Sequence, residues 1–259
     1  MNGQPSSSAQ DSRKPADARR MMTLRSLTRD VRQYGLKAAV SRQKTVENDG
    51  VTLSLEGMSR RMRLVLLSGE YEREDTRLAR RHLTAKSCVL ELGASIGFVS
   101  LFCRKVLGVR DYALVEANPA LIDQIHTNYA LNSMTAPTII NAAAAGEDGR
   151  AQFQVRENFW ASSLIPRAND LHTVEVEQLT IPSLIGRFDF TPDTLIMDIE
   201  GGEMFIPADH LARFDTIITE LHPELIGEAR VRELTEDLAH RGLREVEVDH
   251  RTHVFRRAV

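Results

Sequence analysis

Two cysteines, Cys88 and Cys103, are all the thiols in 259 residues. They sit in apolar surroundings, on an expected strand and the helix after it. That excludes a disulfide-stapled scaffold and suits a reducing cytoplasm. No apolar run approaches the roughly 18 residues that suggest a membrane span. The first twenty residues, MNGQPSSSAQDSRKPADARR, lack the apolar centre of a signal peptide. Strong net charge is also missing. At −3 the chain is no general nucleic-acid binder. The charge is uneven, however. Met1 to Lys44 holds ten Arg and Lys against three Asp, a local +7 that leaves −10 for the rest. A solvated tail and surface helix account for this bias, and an arm touching an acidic partner or membrane surface is the sharper alternative.

What is present is enough for a core, since 42% of residues are hydrophobic. Residues 1–20 have little to bury and are expected to be disordered. Residues 21–84 form an N-terminal extension. Arg19 to Val40 has helical spacing with a break at Gly35. Val51 to Leu55 and Met62 to Leu67 alternate like the strands of a hairpin, and Gly69 to His82 is helix-compatible. From residue 85 to 259 the pattern becomes regular. Strand-like runs at 87–92, 112–116, 138–142, 194–198 and 216–220 alternate with helical ones at 98–106, after Pro119 and at 224–241. Two closing strands, 244–248 and 252–256, flank a turn. This order implies an α/β fold with a mainly parallel sheet and a C-terminal antiparallel hairpin.

The loop after the first parallel strand reads VLELGASIGF, with Gly93 and Gly97 but Ser95 where a dinucleotide fingerprint puts its second glycine. A pyrophosphate cradle needs that glycine and a bare helix N-terminus. Glu91 beside the loop favours a cation over a diphosphate. The second strand ends YALVEANP, and Glu116, about twenty residues on, is placed to accept both hydroxyls of a ribose. S-adenosylmethionine has a ribose, an ammonium and a sulfonium, and no phosphate.

VLELGASIGFVSLF followed by LVEANP resembles the first two motifs of class I S-adenosylmethionine-dependent methyltransferases. More narrowly, the chain is similar to the FkbM type. The family's D-x-G-A-N-x-G stands here as Glu91 to Gly97, with Glu for Asp at 91 and Ser for Asn at 95. Its D-x-E-G-x-E matches Asp198-Ile199-Glu200-Gly201-Gly202-Glu203. GEYEREDTRL, NYALN (128–132), NFWASSL (158–164) and TELHPE (219–224) extend the likeness over roughly 69–222. The resemblance implies a Rossmann-like class I methyltransferase sheet and S-adenosylmethionine as cofactor. It assigns Gly93, Ser95 and Gly97 to the methionine part, Glu91 to the ammonium, and Glu116 to the ribose. Ala117 and Asn118 would border the adenine, with Asn141 to Ala143 over its edge. Trp160 would lie at the cleft mouth.

In the sheet order expected for such a fold, Asp198, Glu200, Glu203, Glu220 and His222 converge on one rim. Asp198 is the first candidate at the reaction centre, His222 the second, and Glu200 a third. No metal is expected, because the nearby histidine is not at a recognised ligand spacing. The reaction expected is O-methylation of a hydroxyl on a sugar, polysaccharide or secondary metabolite. The alternatives are N-methylation of a small molecule and nicotinamide-dependent oxidoreduction on a similar sheet.

Overall fold

The computed structural model describes residues 43–157, 161–168 and 170–258. The chain divides into two units, Met1–Gln43 and Lys44–Val259, and only the second is treated below. The expected basic tail, the helix over 19–40 and Trp160 lie outside the described residues.

The unit opens with a hairpin, β1 (Thr45–Asn48) and β2 (Val51–Ser54). Asp49 and Gly50 both have positive φ, 48° and 82°. That is the two-residue turn whose twist matches paired strands. The partner of Val51–Ser54 is therefore the segment before it. Met62–Leu67, expected as the second strand, lies instead in helix α1 (Arg60–Ser68). Ser59 caps this helix by accepting from the Met62 N–H at 3.2 Å, and Gly69 closes it in the left-handed conformation. Met62 and Leu66, four apart, are its buried residues. Helix α2 (Arg73–His82) follows.

The central sheet has seven strands: β3 (Val89–Leu92), β4 (Tyr112–Val115), β5 (Thr138–Ile140), β9 (Thr194–Met197), β10 (Thr216–Glu220), β11 (Leu243–Asp249) and β12 (Thr252–Arg257). Their order is β11-β12-β10-β9-β3-β4-β5. The five from β10 to β5 are parallel, and β12 runs antiparallel to both β10 and β11. VLEL, YALV and TLIM are buried at every position, as strands covered on both faces must be. The covering helices are α3 (Phe98–Lys105) and α4 (Pro119–Leu131) on one side, with α1 and α2. On the other lie α5 (Ile181–Ile185), α6 (Ala208–Leu211) and α8 (Glu228–His240). The helix expected at 224–241 is split: α7 (Pro223–Ile226) ends at Gly227, whose φ of 86° interrupts it before α8. A second sheet, unanticipated, joins β6 (Ala143–Ala144), β8 (His172–Leu179) and β7 (Gly149–Val155) in that order.

The NYALN segment has a structural role. From α4, Asn132 accepts from the Thr52 N–H at 2.9 Å and donates to the Thr52 carbonyl at 2.7 Å. Asn128 accepts from the Ser54 N–H at 2.8 Å and donates to the Ile96 carbonyl at 2.9 Å. Two side chains thus stand in for a strand along the edge of β2, and one also pins the glycine loop. Asn128 is fully buried, and Ser54 and Ile96 are buried too, so its two bonds satisfy groups that water cannot reach. Cys103 is buried, Cys88 is only half-buried, and both are free. Among the described residues no helix is long and apolar enough to cross a membrane.

Candidate functional site

Parallel register puts five strand ends level. Leu92 lies opposite Val115 and Met197, Val115 opposite Ile140, and Met197 opposite Thr219. The loops after these residues therefore share one edge, where α/β sheets bind ligands. A cleft with about 620 Å³ of empty volume opens there. Its floor is Leu92, Gly93, Ser95, Val115, Glu116 and Ala117; its walls include Ala142–Ala144, Phe153, Leu164 and Ile199. Three carboxylates face it, Glu72, Glu116 and Asp198, together with Ser162. No Lys, Arg or His is among the described residues that line it.

The loop is held by backbone geometry. Gly93 has φ 84°, and a β-carbon there would collide with the carbonyl oxygen of Asp198. Glycine is required because two strand ends meet backbone to backbone. Gly97, at φ 77°, starts α3 and faces Ile125 on α4, away from the cleft lining. Ser95 adopts a left-handed φ of 51°. Its N–H donates to Glu116 Oε2 at 2.7 Å, and its hydroxyl meets the Tyr71 hydroxyl at 2.9 Å.

Glu116 is the junction of the site. Its Oε1 accepts from the Asn118 N–H at 2.7 Å while Oε2 takes Ser95. Each oxygen retains a lone pair for a ligand. Burial pushes its pKa up to about 7, against the pull of these backbone donors. Asn118 caps α4 through the Ala120 N–H at 3.1 Å and does not line the cleft. Asn141 ties the third loop down, donating to the carbonyls of Glu116 and Ala117 at 2.7 and 3.2 Å. Ala117 and Ala143 form wall.

Glu91 does not reach this cleft. It is buried beneath the loop, where the Tyr112 hydroxyl donates to it at 2.5 Å. Burial raises its pKa to about 8. It lines a small adjoining cavity with Tyr71, Glu72, Asp75 and Asp198. Glu72 and Asp75, from the extension, were not singled out from the sequence. They lie in GEYEREDTRL, and that segment was the signal. Burial, then the neighbouring carboxylates, hold Glu72 well above its usual pKa; the same causes bring Asp75 to about 7. Ser162 and Leu164 are placed by buried Arg156. Its guanidinium binds the carbonyls of Ala161 and Ile165 and the Asp170 carboxylate, and its N–H donates to Ser162 Oγ.

The structure brings the five rim residues together. His222 Nε2 is 3.7 Å from Asp198 Oδ1, Glu200 Oε1 and Glu220 Oε1, and Nδ1 is 3.6 Å from Glu203 Oε1. Of these residues only Asp198 lines the cleft; His222 and Glu200 stand behind it. Burial, then Glu220, Glu72 and Glu200, hold Asp198 well above the usual carboxylate range. Burial opposes charge on His222, yet Glu203, Glu200 and Glu220 outweigh it and keep its pKa above the ordinary value. Arg167 pairs with Glu200 at 3.2 Å, and Arg251 with Glu220 at 2.6 Å. Glu200 carries a left-handed φ of 54°, a strained backbone at the rim.

Crowded, dehydrated carboxylates favour a ligand that brings positive charge. The free lone pairs of Glu116 can accept hydroxyl donors, and the alanine, Phe153 and Leu164 walls offer apolar surface to a flat ring. The donor set thus fits S-adenosylmethionine, and a diphosphate would meet three acids and no cation.

Residues 91–240 match the family described as the methyltransferase FkbM domain. No curated protein sequence matches the chain. Solved structures that resemble it include methyltransferase FkbM from Methylobacillus flagellatus KT. The two are 15% identical with a TM-score of 0.45, covering 87% of this chain and 59% of that one. Precorrin-6y C5,15-methyltransferase from Geobacter metallireducens GS-15 is 12% identical with a TM-score of 0.47, covering 82% and 97%. Magnesium protoporphyrin IX methyltransferase from Synechocystis PCC 6803, solved with bound SAM, is 13% identical with a TM-score of 0.45, covering 78% and 86%. The chain thus spans less than two thirds of the first of these.

Proposed function

The chain belongs to the methyltransferase FkbM domain family, with the Rossmann-like class I sheet, and on that premise we propose that it methylates an acceptor hydroxyl using S-adenosylmethionine. The acceptor class we favour is a sugar, polysaccharide or secondary metabolite. The observation that carries the cofactor reading is the cleft itself, lined by Glu72, Glu116 and Asp198 with no basic side chain among the described residues.

When bound, S-adenosylmethionine supplies a methyl carbon on a positively charged sulfur. The protein's part is alignment and charge. Glu116 accepts the ribose hydroxyls while its backbone partners keep it fixed. Gly93 lets the chain pass close under the ligand. Glu72 and Asp198, which both line the cleft, offset positive charge. Holding an acceptor oxygen in line with the methyl is worth several kcal/mol by itself, since proximity accounts for roughly 7–11 kcal/mol in well-oriented reactions. A hydroxyl is a poor nucleophile, so a base is needed. Asp198 lines the cleft, and its carboxylate is the candidate to take the hydroxyl proton.

Calorimetric titration with S-adenosylmethionine and with NAD tests this reading. Binding of the first alone is expected. Binding of NAD without S-adenosylmethionine would transfer the chain to oxidoreductase chemistry and end the proposal.

A further inference from the structure

The cluster behind Asp198 is more than a set of acids. His222 is 1% exposed, and both its ring nitrogens lack a hydrogen-bond partner. Glu203 is fully buried with Oε2 unsatisfied, and Asp198 Oδ1 is likewise unpaired. Orphaned buried polar atoms are costly and rare. Four carboxylate oxygens surround the imidazole at 3.6–3.7 Å, too far for hydrogen bonds. The three around Nε2, from Asp198, Glu200 and Glu220, are spaced as ligands that share an ion with it. With bonds of about 2.1 Å, a separation of 3.7 Å subtends roughly 120° at a metal.

We infer that Asp198, Glu220 and His222 form a binding site for one divalent first-row transition cation. Their ligand atoms all lie within 4.8 Å of one another. An ion at about 2.1–2.2 Å from each spans pairs up to about 4.4 Å apart, so a shift of a few tenths of an ångström closes the site. Glu200 Oε1, 3.7 Å from the same Nε2, is a fourth ligand within reach. One imidazole with two or three carboxylates suits Mn²⁺, Fe²⁺, Co²⁺ or Zn²⁺ better than Ca²⁺ or Mg²⁺. The expectation of no metal rested on spacing along the chain. Here the ligands come from two adjacent parallel strands, whose register sets Asp198 beside Glu220. Arg251 Nη2, 2.6 Å from Glu220 Oε1, is the cation that competes for the site. Resting on the proposed function, the ion lies beside the cleft where an acceptor hydroxyl would bind, and coordination there makes a hydroxyl more acidic.

The test is Mn²⁺ binding to the full chain, by electron paramagnetic resonance of free Mn²⁺ and by calorimetry. One equivalent is expected, displaced by Zn²⁺. His222→Ala and Glu220→Gln should each weaken Mn²⁺ at least tenfold. Arg251→Met, at a side chain 53% exposed and so safe for folding, should tighten it severalfold. No saturable Mn²⁺ binding, or an affinity that none of the three variants moves, overturns the inference. S-adenosylmethionine is titrated in parallel without metal. Cofactor binding with no Mn²⁺ binding removes only the metal site. Mn²⁺ binding with no cofactor binding removes the proposed function and leaves the site standing.

Discussion

Glu116 gives the sharpest test of the cleft. Burial lifts its pKa to about 7. In the proposed ribose role the ionised form is the acceptor, so affinity should fall as pH drops through 7. At pH 8 about nine tenths of such a group is ionised, and at pH 6 about one tenth. If only the ionised form binds, S-adenosylmethionine affinity declines about tenfold between the two, or about 1.4 kcal/mol. Asp75 and Glu91 titrate nearby, at about 7 and 8, so the wild-type slope alone does not identify the group. Glu116→Gln does. It should weaken binding at pH 8 by about 1–3 kcal/mol and remove most of the slope. The amide must also face the Ser95 or Asn118 N–H, each now 2.7 Å from a carboxylate oxygen, with a nitrogen. Losing that charge-assisted bond costs about 1.5–3 kcal/mol of stability. Calorimetry at pH 6, 7 and 8, with thermal melts to confirm folding, measures all three effects. A folded Glu116→Gln protein with wild-type affinity and slope refutes the ribose role.

Gly93→Ala should destabilise the fold by about 3 kcal/mol, because the residue is left-handed and its β-carbon meets the Asp198 carbonyl; an unchanged melting temperature would show the strand ends are not in contact. Asn128→Ala leaves the Ser54 N–H and the Ile96 carbonyl buried and unpaired, at about 2–4 kcal/mol by denaturant unfolding. A loss under 1 kcal/mol would mean the hairpin does not dock there. Asp198→Asn should lower turnover by at least tenfold while cofactor affinity changes less; equal turnover in both proteins removes its role as base. Finally, Asp75, Glu91 and Glu116 have folded pKa values raised to about 7, 8 and 7. Protons on them favour the fold, so their contribution to ligand-free stability is fully present below the unfolded values, 3.8 for Asp75 and 4.5 for the two glutamates, and is lost as pH rises toward 8. The melting temperature should be lower at pH 8.5 than at pH 5.5, and the reverse order would contradict the buried-carboxylate picture.

The amino-acid sequence determined the repeating sheet. VLEL, YALV and TLIM are short runs in which only Glu91, Tyr112 and Thr194 carry polar groups, and the turn and cap residues around them, Gly93, Asn118 and Pro119, stop and start elements locally. Such signals act within a few residues and survive without knowledge of the rest of the chain. The same locality explains where the reading failed. Met62–Leu67 supports either period over six residues, and the Ser59 cap together with the Asp49–Gly50 turn settled it as helix. The strands at 149–155 and 172–179 do carry period-two alternation, in AQFQV and TVEVE, a local signal to which the expected set of strands did not extend.

Tertiary structure alone decided which acids share a space. Glu91 stands two residues before the glycine loop, yet strand pleating turns it beneath the loop, toward Tyr112. Glu72, twenty-one residues before Gly93, arrives at the cleft because β2, α1 and α2 pack with α3 and α4 in one core. His222 finds Asp198, Glu200 and Glu220 because β9 and β10 are neighbours in register, a fact of sheet order. A residue's type and local period are written in the chain. The electrostatic field it meets depends on long-range pairing and burial, and these exist only once the chain has folded.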